Sequence, residues 1–156
     1  MTQTASDLSP SATQAIAEAL SQAVSETVVT TMLAQNFHWN VTGMAFGPLH
    51  ALFQEIYEDH FVAQDDLSER IRALDIHAPG QLAGMLDRSK VKEQDGTQSD
   101  KDMVRLLMEA EETIAQTLAG AGALAAEHGD TLTEDLAIER GRTHEKFAWM
   151  LRSHLQ

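Results

Sequence analysis

Two histidines and two carboxylates, His38, His50, Asp65 and Glu69, stand at spacings that suit a metal ion. Imidazole and carboxylate form a mixed nitrogen and oxygen donor set typical of iron. With no cysteine in the chain, thiolate-bound zinc and iron–sulfur clusters are disfavoured. Asp65 and Glu69 are four residues apart, so on a helix their carboxylates share one face and can grip one hard cation. His50 lies fifteen residues before Asp65, which at about 1.5 Å per residue is roughly 22 Å along a helix axis. One helix therefore cannot bring them to one ion. Either there are two half-sites, or a second copy, antiparallel across a two-fold axis, brings its Asp65 and Glu69 to the His50 end of the first.

The elements that must position these residues are helical. Pro48 to Leu74 reads as one long helix, with Gly47 as N-cap and Pro48 where a missing N–H is harmless. At about 100° per residue, Leu49, Phe53, Ile56, Leu67, Ile71 and Leu74 form the stripe that a bundle helix buries. Beside it runs a row of His50, Gln54, Tyr57, Phe61, Asp65 and Glu69, in which Tyr57 and Phe61 would supply the apolar contact where two copies cross. Asp59, Asp66 and Arg70 fall on the remaining face and read as solvated. His38 ends a preceding helix that starts at Ser9 and Pro10 and repeats Ile16, Leu20, Val24, Val28 and Met32 at four-residue spacing. A turn from Asn40 to Gly47 makes the two helices antiparallel neighbours, so His38 and His50 can face each other.

Beyond residue 74, Asp75 to Gly80 breaks the helix, Gln81 to Leu86 suits a short one, and Asp87 to Gln98 is a polar loop. Ser99 and Asp102 cap a helix whose stripe is Met103, Leu107, Ala110, Ile114, Leu118 and Ala121. Gly129 stops it. Thr131 and Glu134 read as a capping box opening a last helix with Leu132, Leu136, Thr143, Phe147 and Met150 inside. Residues 1–9 read as a flexible tail and 10–156 as a single domain. His60, His77, His128, His144 and His154 read as structural or solvated, His60 as an imidazole packed in the apolar stripe. Trp149 reads as packing, and the methionines as filler.

Composition narrows the classes of function. Hydrophobic residues make up 43% and aromatics 5% of the 156 residues, a core of aliphatic side chains that favours helices over a sheet. The net charge of −13 disfavours phosphate-backbone binding and suits the collection of cations. No apolar run is long enough to span a membrane and the N-terminus does not read as a signal peptide, so a cytoplasmic protein is expected, as the absence of cysteine also suggests.

The segments NFHWNVTG, LH at 49–50, the D-x-x-x-E of 65–69 followed by RIRAL, and HEKFAWMLRSHLQ together resemble the Dps family, the dodecameric mini-ferritins, over nearly the whole chain from residue 11. The resemblance implies an all-α, ferritin-like four-helix bundle with a short helix in the crossover between helices two and three, twelve of which form a hollow shell. It implies ferrous iron bound at a two-fold interface by His38, His50, Asp65 and Glu69, oxidised preferentially by hydrogen peroxide rather than oxygen, and stored as ferric mineral, protecting the cell from oxidative damage. Acidic residues at the start of the last helix, Asp135 first and then Asp130 and Glu134, would line the pores that admit iron. Gln54 departs from the family, which usually carries an acid there, so a second iron should bind loosely. Trp39 would place an oxidisable ring beside the iron. Family members that bind DNA commonly use a lysine-bearing tail, and residues 1–9 contain neither Lys nor Arg, so weak or absent DNA binding is expected. The alternatives are a DNA-coating, nucleoid-associated protein, or a shell with a weakened iron site serving as a structural or other-metal assembly.

Overall fold

The computed structural model describes residues 4–156, and the described residues contain helices but no strands. Four long helices, α1 (Pro10–Asn40), α2 (Phe46–Ala73), α4 (Asp100–Glu127) and α5 (Thr131–Ser153), form the bundle, and the short α3 (Leu82–Arg88) lies in the crossover. The chief packing pairs are α1 with α2 and α4 with α5, α1 against α4 joins the two hairpins, and α3 rests on α1. This is the ferritin-like bundle with its crossover helix.

Helix starts follow side-chain chemistry where a cap is present. Ser9 Oγ accepts from Ala12 N at 3.2 Å, with Pro10 as the first helical residue, and Ser99 Oγ accepts from Asp102 N at 3.2 Å. Two starts differ from the sequence expectation. Helix α2 begins at Phe46, its cap position is Ala45 and no side chain caps it, so Gly47 lies inside the helix. Helix α5 is capped by Asp130, which accepts from Thr133 N at 3.1 Å, rather than by a box of Thr131 and Glu134. Asp130 fits because its short carboxylate reaches an N–H in the first turn. Of the expected tail, residues 1–3 lie outside the described part. Ala5–Asp7 form a 3₁₀ turn held by Thr4 N donating to Asp7 Oδ2 at 2.8 Å, and Leu8 packs against the core.

The α2 and α4 stripes are buried throughout. On α2, Leu49, Phe53, Ile56, Leu67, Ile71 and Leu74 are at most 3% exposed. On α1 the four-residue row leaves the core, and Met32 is 52% exposed. Steps of four advance about 40° beyond a full turn, so the row spirals outward while Val29, Leu33 and Phe37 take over inside. On α5, Leu132 is 54% exposed, and the inner row includes Arg140 and His144, which an apolar reading does not select. The core has two apolar clusters. One, around Phe37, Phe53, Leu107 and Phe147, lies near the α1–α2 turn, and the other, around Leu20, Leu67 and Leu118, lies at the opposite end. Along α2 and α4, the polar residues His60 and Glu111 fall between them.

The crossover is pinned beside the α1 terminus. Asn36 Nδ2 donates to Gln94 O at 2.9 Å, and Gly96, at φ 85°, lies so close that a Cβ there would fall 2.1 Å from Asn36 Oδ1. Gly96→Ala combines a left-handed backbone with that collision, and it should destabilise the protein by about 2 kcal/mol in urea unfolding. Wild-type stability in that variant would show that the loop is not pinned here.

Candidate metal centre

The α1–α2 turn brings His38 and His50 together. Their rings stack at 3.7 Å between centroids and 15° between planes. Each ring binds the other residue's backbone. His38 Nδ1 donates to His50 O at 2.7 Å, and His50 Nδ1 donates to His38 O at 2.8 Å. A carbonyl oxygen can only accept, so each neutral ring carries its proton on Nδ1 and leaves the Nε2 lone pair free for a metal. Tyr57 stands edge-on to His38 at 5.2 Å and Phe46 stacks on His50 at 5.0 Å. His38 is buried and His50 half-buried, so the pair is rigid yet reachable. The sequence reading passed over Phe46 because it placed that residue in the turn.

Asp65 and Glu69 are exposed on α2, separated from the histidines by more than three helical turns. Within one chain the two pairs do not meet. Phe61, between them in sequence, is 70% exposed, and with Met32, Leu82 and Leu86 it borders an apolar groove formed by α1, α2 and α3.

The chain is similar to known proteins over most of its length. The family model described as a ferritin-like domain matches residues 17–156. A DNA protection during starvation protein of Brevibacillus brevis is 33% identical over 92% of this chain and 96% of that protein, and a namesake from Helicobacter pylori is 32% identical over 88% and 96%. The crystal structure of a Dps protein from Vibrio cholerae, described as a member of a broad superfamily of ferritin-like diiron-carboxylate proteins, superposes with a TM-score of 0.92 and 29% identity over 100% of this chain and 98% of that one. The chain belongs to the Dps family. Among the described residues, no helix is long and apolar enough to cross a membrane.

Other residues singled out on this Dps chain take varied places. Gln54 is exposed, and its Nε2 donates to Glu58 Oε1 at 2.8 Å, leaving the amide oxygen as the atom open to an ion. Trp39 is 63% exposed. Asp130, besides capping α5, accepts from Arg70 Nη2 at 2.9 Å and is only 3% exposed, while Glu134 is half-buried and Asp135 exposed. Arg70 is thus not solvated as expected, because Asp130 and Thr133 draw it onto the start of α5. Asp59 is also engaged, by Arg140 Nη2 at 2.8 Å and by His60.

The last contact belongs to a buried polar layer across α2, α4 and α5. His60 Nδ1 donates to Asp59 Oδ2 at 3.0 Å and His60 Nε2 to Glu111 Oε1 at 2.7 Å. His144 Nδ1 donates to Glu111 Oε2 at 2.6 Å, and Arg140 Nη2 donates to His144 Nε2 at 3.2 Å. His60 faces a carboxylate with each nitrogen, so it is the doubly protonated imidazolium. His144 faces a carboxylate and a guanidinium, so it is neutral. Burial works against the charge of His60, but Glu111 and Asp59 raise its pKa to about 9. Burial likewise works against the Glu111 carboxylate, but the two imidazoles hold its pKa at about 2. Burial pushes His144 down, and Asp59 lies well below the usual range because bonds from His60 and Arg140 outweigh its burial. The sequence reading gave His60 and His144 structural roles without joining them. The missed signal was Glu111, an acid four residues after Leu107 and three before Ile114 on the apolar stripe of α4.

Linkage gives this layer a pH signature. The raised pKa of His60 contributes stability that is complete below 6.5 and lost as pH rises through about 9. The depressed pKa of Glu111 contributes stability present above 4.5 and lost as pH falls toward 2, and His144 lowers stability below 6.5 because the unfolded chain binds its proton more readily. Chelator-treated protein should lose up to about 3 kcal/mol between pH 6.5 and 9 in urea unfolding, and Glu111→Gln should flatten that slope. An equal slope in the variant would mean that Glu111 does not hold the His60 proton.

Proposed function

We propose that this chain is the subunit of a ferroxidase and iron-storing shell of twelve copies, in which Fe(II) is the substrate and iron the stored cargo. The observation that carries the reading is the reciprocal His38–His50 pair, two rings with Nε2 free, on a chain whose Asp65 and Glu69 are exposed and out of reach. Across a two-fold axis between antiparallel α2 helices, the His38 and His50 of one copy would share an ion with the Asp65 and Glu69 of the next, giving two equivalent sites per pair. The apolar groove at Phe61 and Met32 supports that pairing, because exposed apolar surface of this kind marks a contact face.

The roles follow from charge. Neutral imidazoles hold Fe(II) without strong repulsion, and the two carboxylates favour the more highly charged Fe(III), which lowers the barrier to electron loss. One peroxide takes two electrons, one from each of two ferrous ions, and with two protons leaves as two waters, so the one-electron route to hydroxyl radical is avoided. Tyr57 and Phe46 fence the rings and limit water. Asp135, with Glu134 behind it, would draw cations inward through pores, and the net charge of −13 supports cation collection in a cytoplasmic protein. Asp130 contributes there by fixing the start of α5. That charge, with a 1–9 segment free of Lys and Arg, favours iron chemistry over DNA coating.

Stopped-flow oxidation of Fe(II) by peroxide, and separately by oxygen, tests the reading. Asp65→Ala/Glu69→Ala should slow peroxide-driven oxidation by roughly tenfold or more while the assembly persists, and wild-type kinetics in that variant would overturn the shared site. Because an amide binds iron more weakly than a carboxylate, Gln54→Glu should tighten the second ferrous ion by about tenfold in anaerobic titration. Unchanged binding would place Gln54 outside the coordination sphere.

A further inference from the structure

Away from the His38–His50 pair, the buried donor chemistry concentrates in His60, Glu111 and His144. These residues come from α2, α4 and α5, each is 0% exposed, and one donor atom from each lies within 4.8 Å of the other two. Two imidazoles and one carboxylate make a set that binds zinc and ferrous ions. Glu111 turns one oxygen to each ring, so an ion between the rings meets both oxygens without a change of rotamer. Behind His60, Asp59 accepts from Nδ1 at 3.0 Å, the carboxylate–histidine arrangement that orients metal-bound imidazoles. Behind His144, the Arg140 guanidinium donates to Nε2, where it would stabilise negative charge on a ring that has lost its proton. The set is also not closed on itself, since Arg140 Nε is buried without a partner.

We propose that His60, Glu111 and His144 form a second site, inside each subunit, for a divalent transition ion of the zinc class. In the metal-free arrangement two protons hold the place of the ion, one on His60 Nε2 and one on His144 Nδ1. An ion about 2.0–2.2 Å from each donor sets neighbouring donors roughly 3.3 Å apart. The two bonded pairs, now 2.7 and 2.6 Å apart, then open by about 0.6 Å each, a side-chain adjustment. Two protons leave to solvent for one dication, so the layer of Asp59, His60, Glu111, His144 and Arg140 keeps its net charge of zero. His60 remains bonded through Nδ1 to Asp59, and the His144 ring accepts from Arg140.

The site shares no residue with the interface set, so the two can be tested apart. The assembled protein carrying His38→Ala, Asp65→Ala and Glu69→Ala should still take up about one Co²⁺ per chain, with the strong visible absorption of four-coordinate cobalt, and Zn²⁺ should displace it. Adding Glu111→Gln, or separately His144→Gln, should abolish that uptake. No cobalt uptake in the interface-deficient protein, or uptake indifferent to both added substitutions, would overturn the proposal. Should those variants fail to assemble, Zn²⁺-soaked wild-type crystals decide through anomalous scattering. A peak among the three side chains supports the site, and its absence there overturns it.

Discussion

A fully buried carboxylate sets the terms for this bundle. Removing a charge from water costs several kcal/mol unless opposite charge and hydrogen bonds meet it on every side. Glu111 is met by His60 from α2 and His144 from α5, while Arg140 and Asp59 complete the balance. Apolar side chains tolerate sliding by part of a turn, but these bonds do not. Three of the four long helices are thereby held in one longitudinal register between two apolar clusters. An ion pair of this kind adds less net stability than apolar packing of equal volume, and its contribution here is uniqueness of alignment.

Register matters because the distance between His50 and Asp65 on α2 is fixed by helix geometry. An axial error in α2 would move both, and any site shared between copies would lose its donors together. The reciprocal bonds of His38 and His50 set the other coordinate, joining the end of α1 to the start of α2 through backbone carbonyls. Asn36, two residues before His38, holds the crossover to the same end of α1 through Gln94. Positioning is thus transmitted by directional bonds, while the aliphatic clusters supply cohesion.

The features legible in the sequence were those that repeat. The α2 and α4 stripes, the Ser9 and Ser99 caps and the facing of His38 with His50 all follow from period, cap chemistry and one turn. Capping at Asp130 was harder to read because Thr131 offers a competing signal one residue later, and Arg70 completes the preference from 60 residues away. The same long-range dependence hid Asp59 and Arg70, which project as solvated until α5 is placed. Arg140 and His144 went unread as inner residues because burial of charge is decided by partners on other helices, which no local pattern contains. The sharing of Asp65 and Glu69 between copies is an argument from length, and one chain cannot supply its partner.

The two histidine pairs show why residue type is a poor guide to chemistry. His38 and His50 each give one nitrogen to a carbonyl and leave the other idle, so a metal displaces nothing but water. His60 and His144 have every nitrogen engaged, and an ion there must compete with two bound protons. The same side chain would therefore bind an ion readily at the bundle end and reluctantly at its centre, and the difference lies in what its far nitrogen touches. If both sites take metal, the end must fill first and the centre only as metal becomes abundant.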